Sequence, residues 1–560
     1  MEKRMILAVA LSIAILLGYQ YLFAPPPPKD PGTPDPRSAA GETGKDNAVP
    51  GAVRIPAAAP ARGLPGGLAP KALHPLRKIV VSTPMYTATI STGGGGIQSF
   101  LLHDHKDVPG PNGRPLEIIG SGTVRPLPLD LSLEGSDPPF PPLPVFASDA
   151  PQSLNVRAGE KKSVHLAWES TGGVRIAREY VFSGDRYDFE VRAQVSNGSK
   201  NPLRMRTGIE ISQDFKGELL ADSYTFTGAV VESRGKIEQI DLKKIGKGKV
   251  EKYPVSWAAA DSKYFCLALL PDKAWTLDSI VLVGETGIRM SVTDSESTLA
   301  SGDTARFQAR MFAGPKLYDL LRDTGKNLES LVDYGWFAIV AKPLVWLMKT
   351  SNRVTGNYGI DIILLTILIK ILFYPLTQKS MASMKKMQEL QPIIAKLKVK
   401  YKDDVARLNQ ETMGLYKTYK INPLSGCLPM LLQIPVFIAL YKGLLVTIEL
   451  RHSPFFLWIN DLSAPEHLWD IAVAGYTIPI RLLPLLMGAS MFFQQKLTPA
   501  AGDPNQQKIM MFMPLIFTFM FWGFPTGLVI YWLANNVLSI GQQLIHNAQA
   551  AKEAAKATPA

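Results

Sequence analysis

Apolar positions are distributed along this chain in three ways. Between 76 and 315 they alternate with polar ones in short stretches. From 353 onward they gather into long runs, and between 25 and 75 they follow no period. Alternation predicts half-buried strands, and long runs predict membrane-crossing helices. The run at 359–376, GIDIILLTILIKILFYPL, is nearly continuous and holds one full positive charge, Lys370. Further runs lie at 427–448, 478–493, 509–524 and 528–545, the last two separated only by Pro525, Thr526 and Gly527. Met5–Phe23 makes a sixth, behind the basic pair Lys3 and Arg4.

The N-terminal run is built like a signal peptide, but it is long for one, and Ala24 is followed by four prolines, a poor cleavage site. It is read as a retained anchor, residues 1–24; a cleaved signal is the alternative. Residues 25–75, rich in Pro, Gly and Ala, predict a disordered tether. Over 76–315, strand-like runs such as Ile79–Ser91, Val174–Phe182, Tyr187–Val195, Met205–Ile211 and Thr304–Phe312 are punctuated by turns such as Ser183-Gly184-Asp185. That pattern predicts a β-sandwich. Residues 316–352 turn helical: Tyr318–Leu331 is amphipathic. Trp336–Met348 is apolar but short and contains Lys342-Pro343, which suits the membrane interface better than a span. The predicted architecture is a multi-domain membrane protein, an α-helical transmembrane bundle of six spans plus an all-β periplasmic sandwich. Five of the spans form a core over 353–548, with a cytoplasmic hairpin at 377–426 and a tail at 549–560.

Loop charges orient the spans. The 377–426 segment holds ten Lys and Arg against four acids, so it belongs in the cytoplasm. The 449–476 connection holds only Arg451 against four acids and belongs outside. Both termini then fall in the cytoplasm and residues 25 to about 352 in the periplasm. The chain has 560 residues, 46% hydrophobic and 19% charged, with a formal net charge of +12. A basic balance admits nucleic acid or anionic lipid as partners, but the positive-inside bias already accounts for it. Cys266 and Cys427 fall in unlike segments, which argues against a disulfide framework.

Enzyme signatures are missing. There is no Walker A motif and no HExxH. His103 and His105 have no third ligand nearby, and Gly93–Gly96 lacks the following helix of a phosphate loop and reads as a turn. Leu424-Ser425-Gly426 only faintly echoes an intramembrane serine protease. No catalytic residue, metal or cofactor is expected. Polar residues inside the spans say more. Thr366, Lys370 and Tyr374 are four apart and share a helix face. The second core span carries Gln433 and Tyr441, and the last carries Tyr531, Asn535, Ser539 and Gln542. Interhelical hydrogen bonds worth about 0.6 kcal/mol account for residues such as Ser539 and Gln542. They do not account for Lys370, which costs about 2.5–3.5 kcal/mol at a helix centre. Asp361, nine residues away on the same helix, is too far to pair with it. Two readings stay open on these residues: Lys370 snorkels past Leu376, about 9 Å away, to the cytoplasmic interface, or it faces a hydrated cavity. In the hairpin, Met381, Met384 and Met387 recur beside Lys385 and Lys386. Such methionines suit varied apolar partners or ordinary packing, and the lysines suit anionic lipid or ribosomal RNA.

The motifs KILFYPLT (370–377), LQP (390–392), NPLSGC (422–427), LQIP (432–435), MFFQ (491–494), QKIM (507–510) and FPTGL (524–528) together resemble the YidC membrane protein insertase family. The resemblance is strong over about 325–545, and the anchor, tether and β region resemble the family's Gram-negative form. It implies a hydrophilic groove in the inner leaflet, open to cytoplasm and lipid and closed to the periplasm. Lys370 stands where arginine is usual, which keeps the charge but loses the bidentate fork. Thr366 matches a groove-lining position, and Gln433 and Asn535 are further groove candidates. Met430 and Phe437, with Tyr531 and Trp532, match helices in contact with substrate. The 377–426 segment matches a loop needed for activity. The implied function is insertion and chaperoning of inner-membrane proteins, alone or with the Sec translocon, without nucleotide hydrolysis. Nascent membrane proteins, the ribosome, Sec components and lipids are the implied partners, with a monomer as the working unit. A solute or ion transporter using Lys370 as its binding charge is the alternative. It calls for inverted repeats and mid-membrane acids, and neither is evident.

Overall fold

The computed structural model describes residues 70–557 apart from 121–124, 138–139, 142, 220–224, 246–251, 403, 420–427, 474–475 and 498–503. The expected anchor at 1–24 and the expected tether as far as residue 69 lie outside the described residues.

Three antiparallel-dominated sheets form the N-terminal region. The largest has eight strands, in the order Lys236–Asp241, Gly228–Ser233, Trp257–Asp261, Phe265–Pro271, Thr304–Pro315, Asp188–Asn197, Val174–Ser183 and Lys161–Glu169. Its outer strands alternate buried and exposed residues, as Val174–Ser183 does, while Phe265–Pro271 at the centre is buried throughout. A six-stranded sheet is built around Leu203–Asp214 and Gly287–Thr293, and a five-stranded one around Ile97–Lys106 and Tyr86–Ser91. The run expected as one strand, Ile79–Ser91, is a hairpin of Lys78–Ser82 and Tyr86–Ser91. Pro84 cannot continue the ladder, and the Thr83 hydroxyl accepts the Met85 and Tyr86 amides to close the turn.

The chain leaves the sheets through a buried ion pair: Lys316 Nζ lies 2.9 Å from Asp261 Oδ2 and also donates to the Ser262 carbonyl. The expected helix Tyr318–Leu331 is two pieces. Helix α1, Tyr318–Thr324, ends at Gly325, and a short turn, Leu328–Leu331, follows. Gly325, Lys326 and Asn327 all have positive φ, which no α-helix tolerates. Helix α2, Ala338–Thr355, buries Ala341, Val345 and Met348 and exposes Ile339 and Trp346.

Helix α3, Tyr358–Glu389, is capped by Asn357, whose side chain accepts the Gly359 and Ile360 amides. Among the described residues it is the one helix long and apolar enough to cross a membrane. It runs on past Pro375 through the first half of the expected hairpin, which is completed by α4, Gln391–Lys400, and α5, Val405–Thr418. Then come α6, Leu428–Val446; α7, Leu482–Leu497; α8, Pro504–Met520; and α9, Thr526–Ala557. The run expected as a span at 478–493 is divided. Tyr476–Ile480 pairs with Trp469–Val473 in a hairpin, and α7 starts only at Leu482. Helix α9 continues through residues expected as a tail.

Between α6 and the hairpin, residues 447–468 cap the near end of the bundle. Leu450, Ile459 and Leu462 pack with Ile362, Leu365, Leu528 and Val529 in one apolar core. Phe455 lies against Gly359, where a Cβ would come within 2.0 Å of its ring. Glu466 Oε2 accepts the Leu483 amide at the start of α7 at 2.6 Å, and Leu462 O accepts the Gly527 amide at the start of α9 at 2.9 Å. This segment also touches the sheets. The Arg451 guanidinium lies 5.3 Å over the Phe265 ring and donates to Lys106 O, with His105 edge-on to Phe265 at 5.4 Å.

Candidate functional site

The face of α3 that carries Lys370 turns toward α9. The Lys370 ammonium is partly buried and donates to Ser539 Oγ at 2.6 Å. The Ser539 hydroxyl in turn donates to the carbonyl of Asn535, one turn earlier, at 2.7 Å. Around this pair an open cavity of about 260 Å³ is lined by Ile367, Lys370, Ile371, Tyr374, Leu538 and Gln542. Buried against it, Gln542 Oε1 has no hydrogen-bond partner among the described residues. No ion pair reaches Lys370 among the described residues, so its charge is held by a neutral oxygen at the rim of an open space.

A second polar strap crosses one turn away. Gln433 Nε2 on α6 donates to the Tyr531 hydroxyl at 2.8 Å and to Asn535 Oδ1 at 3.3 Å. On the other side of α9, Asn536 donates to Ser490 on α7 at 3.0 Å. Helix α9 is therefore tied by polar contacts to α3, α6 and α7. Close approach helps hold that arrangement: a Cβ on Gly488 of α7 would come within 2.0 Å of the Thr518 hydroxyl on α8.

The candidate residues divide. Lys370 and Tyr374 line the cavity. Gln433 and Asn535 form the neighbouring strap rather than the wall. Thr366 does neither: it is 1% exposed and its hydroxyl donates to Ile362 O at 2.7 Å, so its polarity is consumed within its own helix. Met430 sits on α6, but its side chain lies outside the described residues. Phe437, Tyr531 and Trp532, matched by resemblance to substrate-contact helices, belong to an aromatic cluster between α6, α8 and α9. Trp532 is edge-on to Phe437 at 4.8 Å and 5.0 Å from Phe521, and Tyr531 is 1% exposed. Ring pairs at such distances gain about 0.5–1.5 kcal/mol beyond their burial. In the hairpin, Met387 is buried with Leu390 against Ile394, Leu415 and Tyr416, so it is packing between helices. Met381, Met384 and Lys385 are half-buried and Lys386 is exposed. No group of three metal-ligating side chains occurs among the described residues.

Two residues at the cavity, Ser539 and Gln542, read in the sequence as ordinary interhelical hydrogen-bonding residues. The available signal was their position on the Asn535 face of the last span. What no local pattern supplies is the 169-residue separation between Ser539 and the lysine it holds.

A β-rich domain joined to a helical region that holds, among the described residues, one helix long and apolar enough to cross a membrane points to the class of membrane proteins with a large folded domain. Residues 350–553 match the family described as 60Kd inner membrane protein, and residues 78–347 match the YidC periplasmic domain. The membrane protein insertase YidC of Syntrophus aciditrophicus (strain SB) is 40% identical over 561 residues, covering 98% of this chain and 100% of that one. Its counterpart in Pelobacter propionicus (strain DSM 2379 / NBRC 103807 / OttBd1) is 39% identical over 563 residues, covering 98% and 99%. A crystal structure of an active YidC insertase with its first transmembrane domain resolved matches at 19% identity over 85% of this chain and 94% of that one, with a TM-score of 0.36. The assignment rests on the sequence matches. The chain belongs to the YidC family of membrane protein insertases, and it is an inner-membrane protein.

Proposed function

We propose that this insertase works through the notch at Lys370. A short polar or acidic segment of a nascent membrane protein enters the cavity between α3 and α9, drawn by the ammonium. The notch hydrates polar groups part-way across the bilayer and lowers the cost of carrying them through hydrocarbon. The substrate's own apolar helix then partitions into lipid beside the exposed apolar residues of α3 and α8, without nucleotide hydrolysis. The single observation that supports this reading is a lysine whose only described partner is a hydroxyl, at the rim of an open cavity. The packed 447–468 segment at the other end of the bundle is consistent with a notch closed toward the periplasm.

In this reading the membrane region comprises six spans: an anchor at 1–24, then α3, α6, α7, α8 and α9, with both termini in the cytoplasm. The β domain lies in the periplasm. Helix α2, with Trp346 and Ile339 exposed, lies along the periplasmic interface. The hairpin of α4 and α5 faces the ribosome or anionic lipid through its lysines, and the chain acts as a monomer, alone or beside the Sec translocon. No catalytic residue, metal or cofactor takes part. Photocrosslinkers placed at Leu538 and Ile371 test the reading. A stalled nascent chain should crosslink to both, whereas crosslinking confined to the aromatic cluster around Phe437 would contradict it.

A further inference from the structure

We infer that Ser539 is a positioning residue for Lys370: it holds the ammonium inside the cavity and thereby sets the preference for acidic segments. This rests on the reading of Lys370 given above and carries it one residue further. An ammonium has three donors. One is directed at Ser539 Oγ at 2.6 Å, and the cavity lies beside the remainder. The hydroxyl's own proton is committed to Asn535 O at 2.7 Å, so the oxygen presents lone pairs to the lysine. Asn535 is in turn tied to Gln433 on α6, which fixes the turn that carries the acceptor. Back-bonding of a helical serine to the residue four earlier is commonplace and explains the Asn535 contact alone. It does not explain why this hydroxyl is the described partner of the only lysine on the wall.

The chemistry favours a hydroxyl here. Lysine is a compact charge on a long flexible stem, free to extend along the helix toward water beyond the apolar run. A carboxylate in its path would hold it but cancel its charge. A neutral acceptor holds it and leaves the charge available to an incoming carboxylate. Leu538 and Gln542, on the same turn as Ser539, complete the wall on that side.

The test uses full-length variants in cells depleted of their own insertase. The substrates are two single-span proteins that differ only in an acidic or a neutral external tail, and insertion is scored per molecule of insertase in the membrane. Ser539→Ala should cut insertion of the acidic-tailed substrate about tenfold, the scale of a lost charge-assisted hydrogen bond, and leave the neutral-tailed one unchanged. Ser539→Thr should restore it, and Ser539→Ala combined with Lys370→Ala should be no worse than Lys370→Ala alone. Equal loss on both tails, or no rescue by threonine, would make Ser539 a packing residue and overturn the inference. Should Ser539→Ala match wild type while Lys370→Ala fails, the positioning role falls and the Lys370 reading stands. Should Lys370→Ala also match wild type, that reading falls first.

Discussion

Two of the cations withdrawn from bulk water in this molecule, Arg178 and Lys370, have opposite surroundings. Arg178, in the β domain, is 2% exposed. It donates to Gly94 O at 2.9 Å and Leu129 O at 2.7 Å and lies against the Tyr180 ring at 5.1 Å. Asp130 is close by, binding the Leu127 amide at 2.7 Å. The tetraglycine run at 93–96 is shaped by this cluster. Gly94 and Gly95 have φ of 76° and 76°, and a Cβ would come within 2.3 Å of Asp130 on the first and 2.5 Å of Arg178 on the second. Lys370 has one neutral partner and an open cavity beside it. Burial of a charge therefore does not mark function by itself. A cation enclosed by fixed acceptors and rings holds a fold together, and one with donors left free beside an opening can hold a substrate.

That contrast can be broken by exchange. Arg178→Met should destabilise the β domain by about 3–5 kcal/mol, because it strands the Gly94 and Leu129 carbonyls and removes one of the two guanidinium charges near Asp130, leaving only Arg125 at 3.7 Å. Lys370→Met should change folding stability by less than about 1 kcal/mol, since it removes a costly charge from apolar surroundings, while insertion collapses. Thermal unfolding of the purified full-length chain, read beside insertion, checks both; equal destabilisation by the two would erase the distinction. Gly359→Ala should cost about 1–3 kcal/mol by driving Phe455 out of its seat against α3. Proteolysis within 447–468 reports it, and unchanged protection would mean that this segment is not held there.

The seam between sheets and bundle supplies a milder, pH-dependent case. Burial first, then the Arg451 guanidinium and His452, push the pKa of His105 down to about 4 against the pull of Asp104. The folded state thus keeps His105 neutral where the unfolded chain would protonate it. Stability from this group is full above about pH 6.5 and is lost as pH falls from there toward about 4. Hydrogen exchange at Lys106 and Arg451 should quicken over that window, and His105→Gln should flatten the change. An unaltered profile in the variant would place the sensitivity elsewhere.

Much of this was legible in the chain itself. Lys370 stood out because a full charge in an apolar run demands an explanation, and alternation exposed strands such as Val174–Ser183. What stayed hidden depended on contacts between distant segments. Ser539 looked like any polar residue in a membrane helix until α3 was placed beside it. Thr366 looked equivalent to Lys370 by spacing, but a hydroxyl can satisfy itself on its own helix and an ammonium cannot. Phe437 and Trp532 were matched to substrate-contact helices by resemblance alone, which carries no information on whether their rings pack edge-on against one another. The hairpin at 469–480 escaped because Ile478 and Ile480 extend an apolar run that periodicity alone does not divide into strand and helix.

On the proposed reading, the charge at position 370 selects what enters the notch. The most direct measurement of this selection is insertion by full-length Lys370→Glu, with otherwise identical substrates bearing acidic or basic external tails. The predicted result is a reversal, with the acidic tail failing and the basic tail gaining relative to wild type. Insertion of the acidic-tailed substrate by Lys370→Glu at the wild-type level would contradict it.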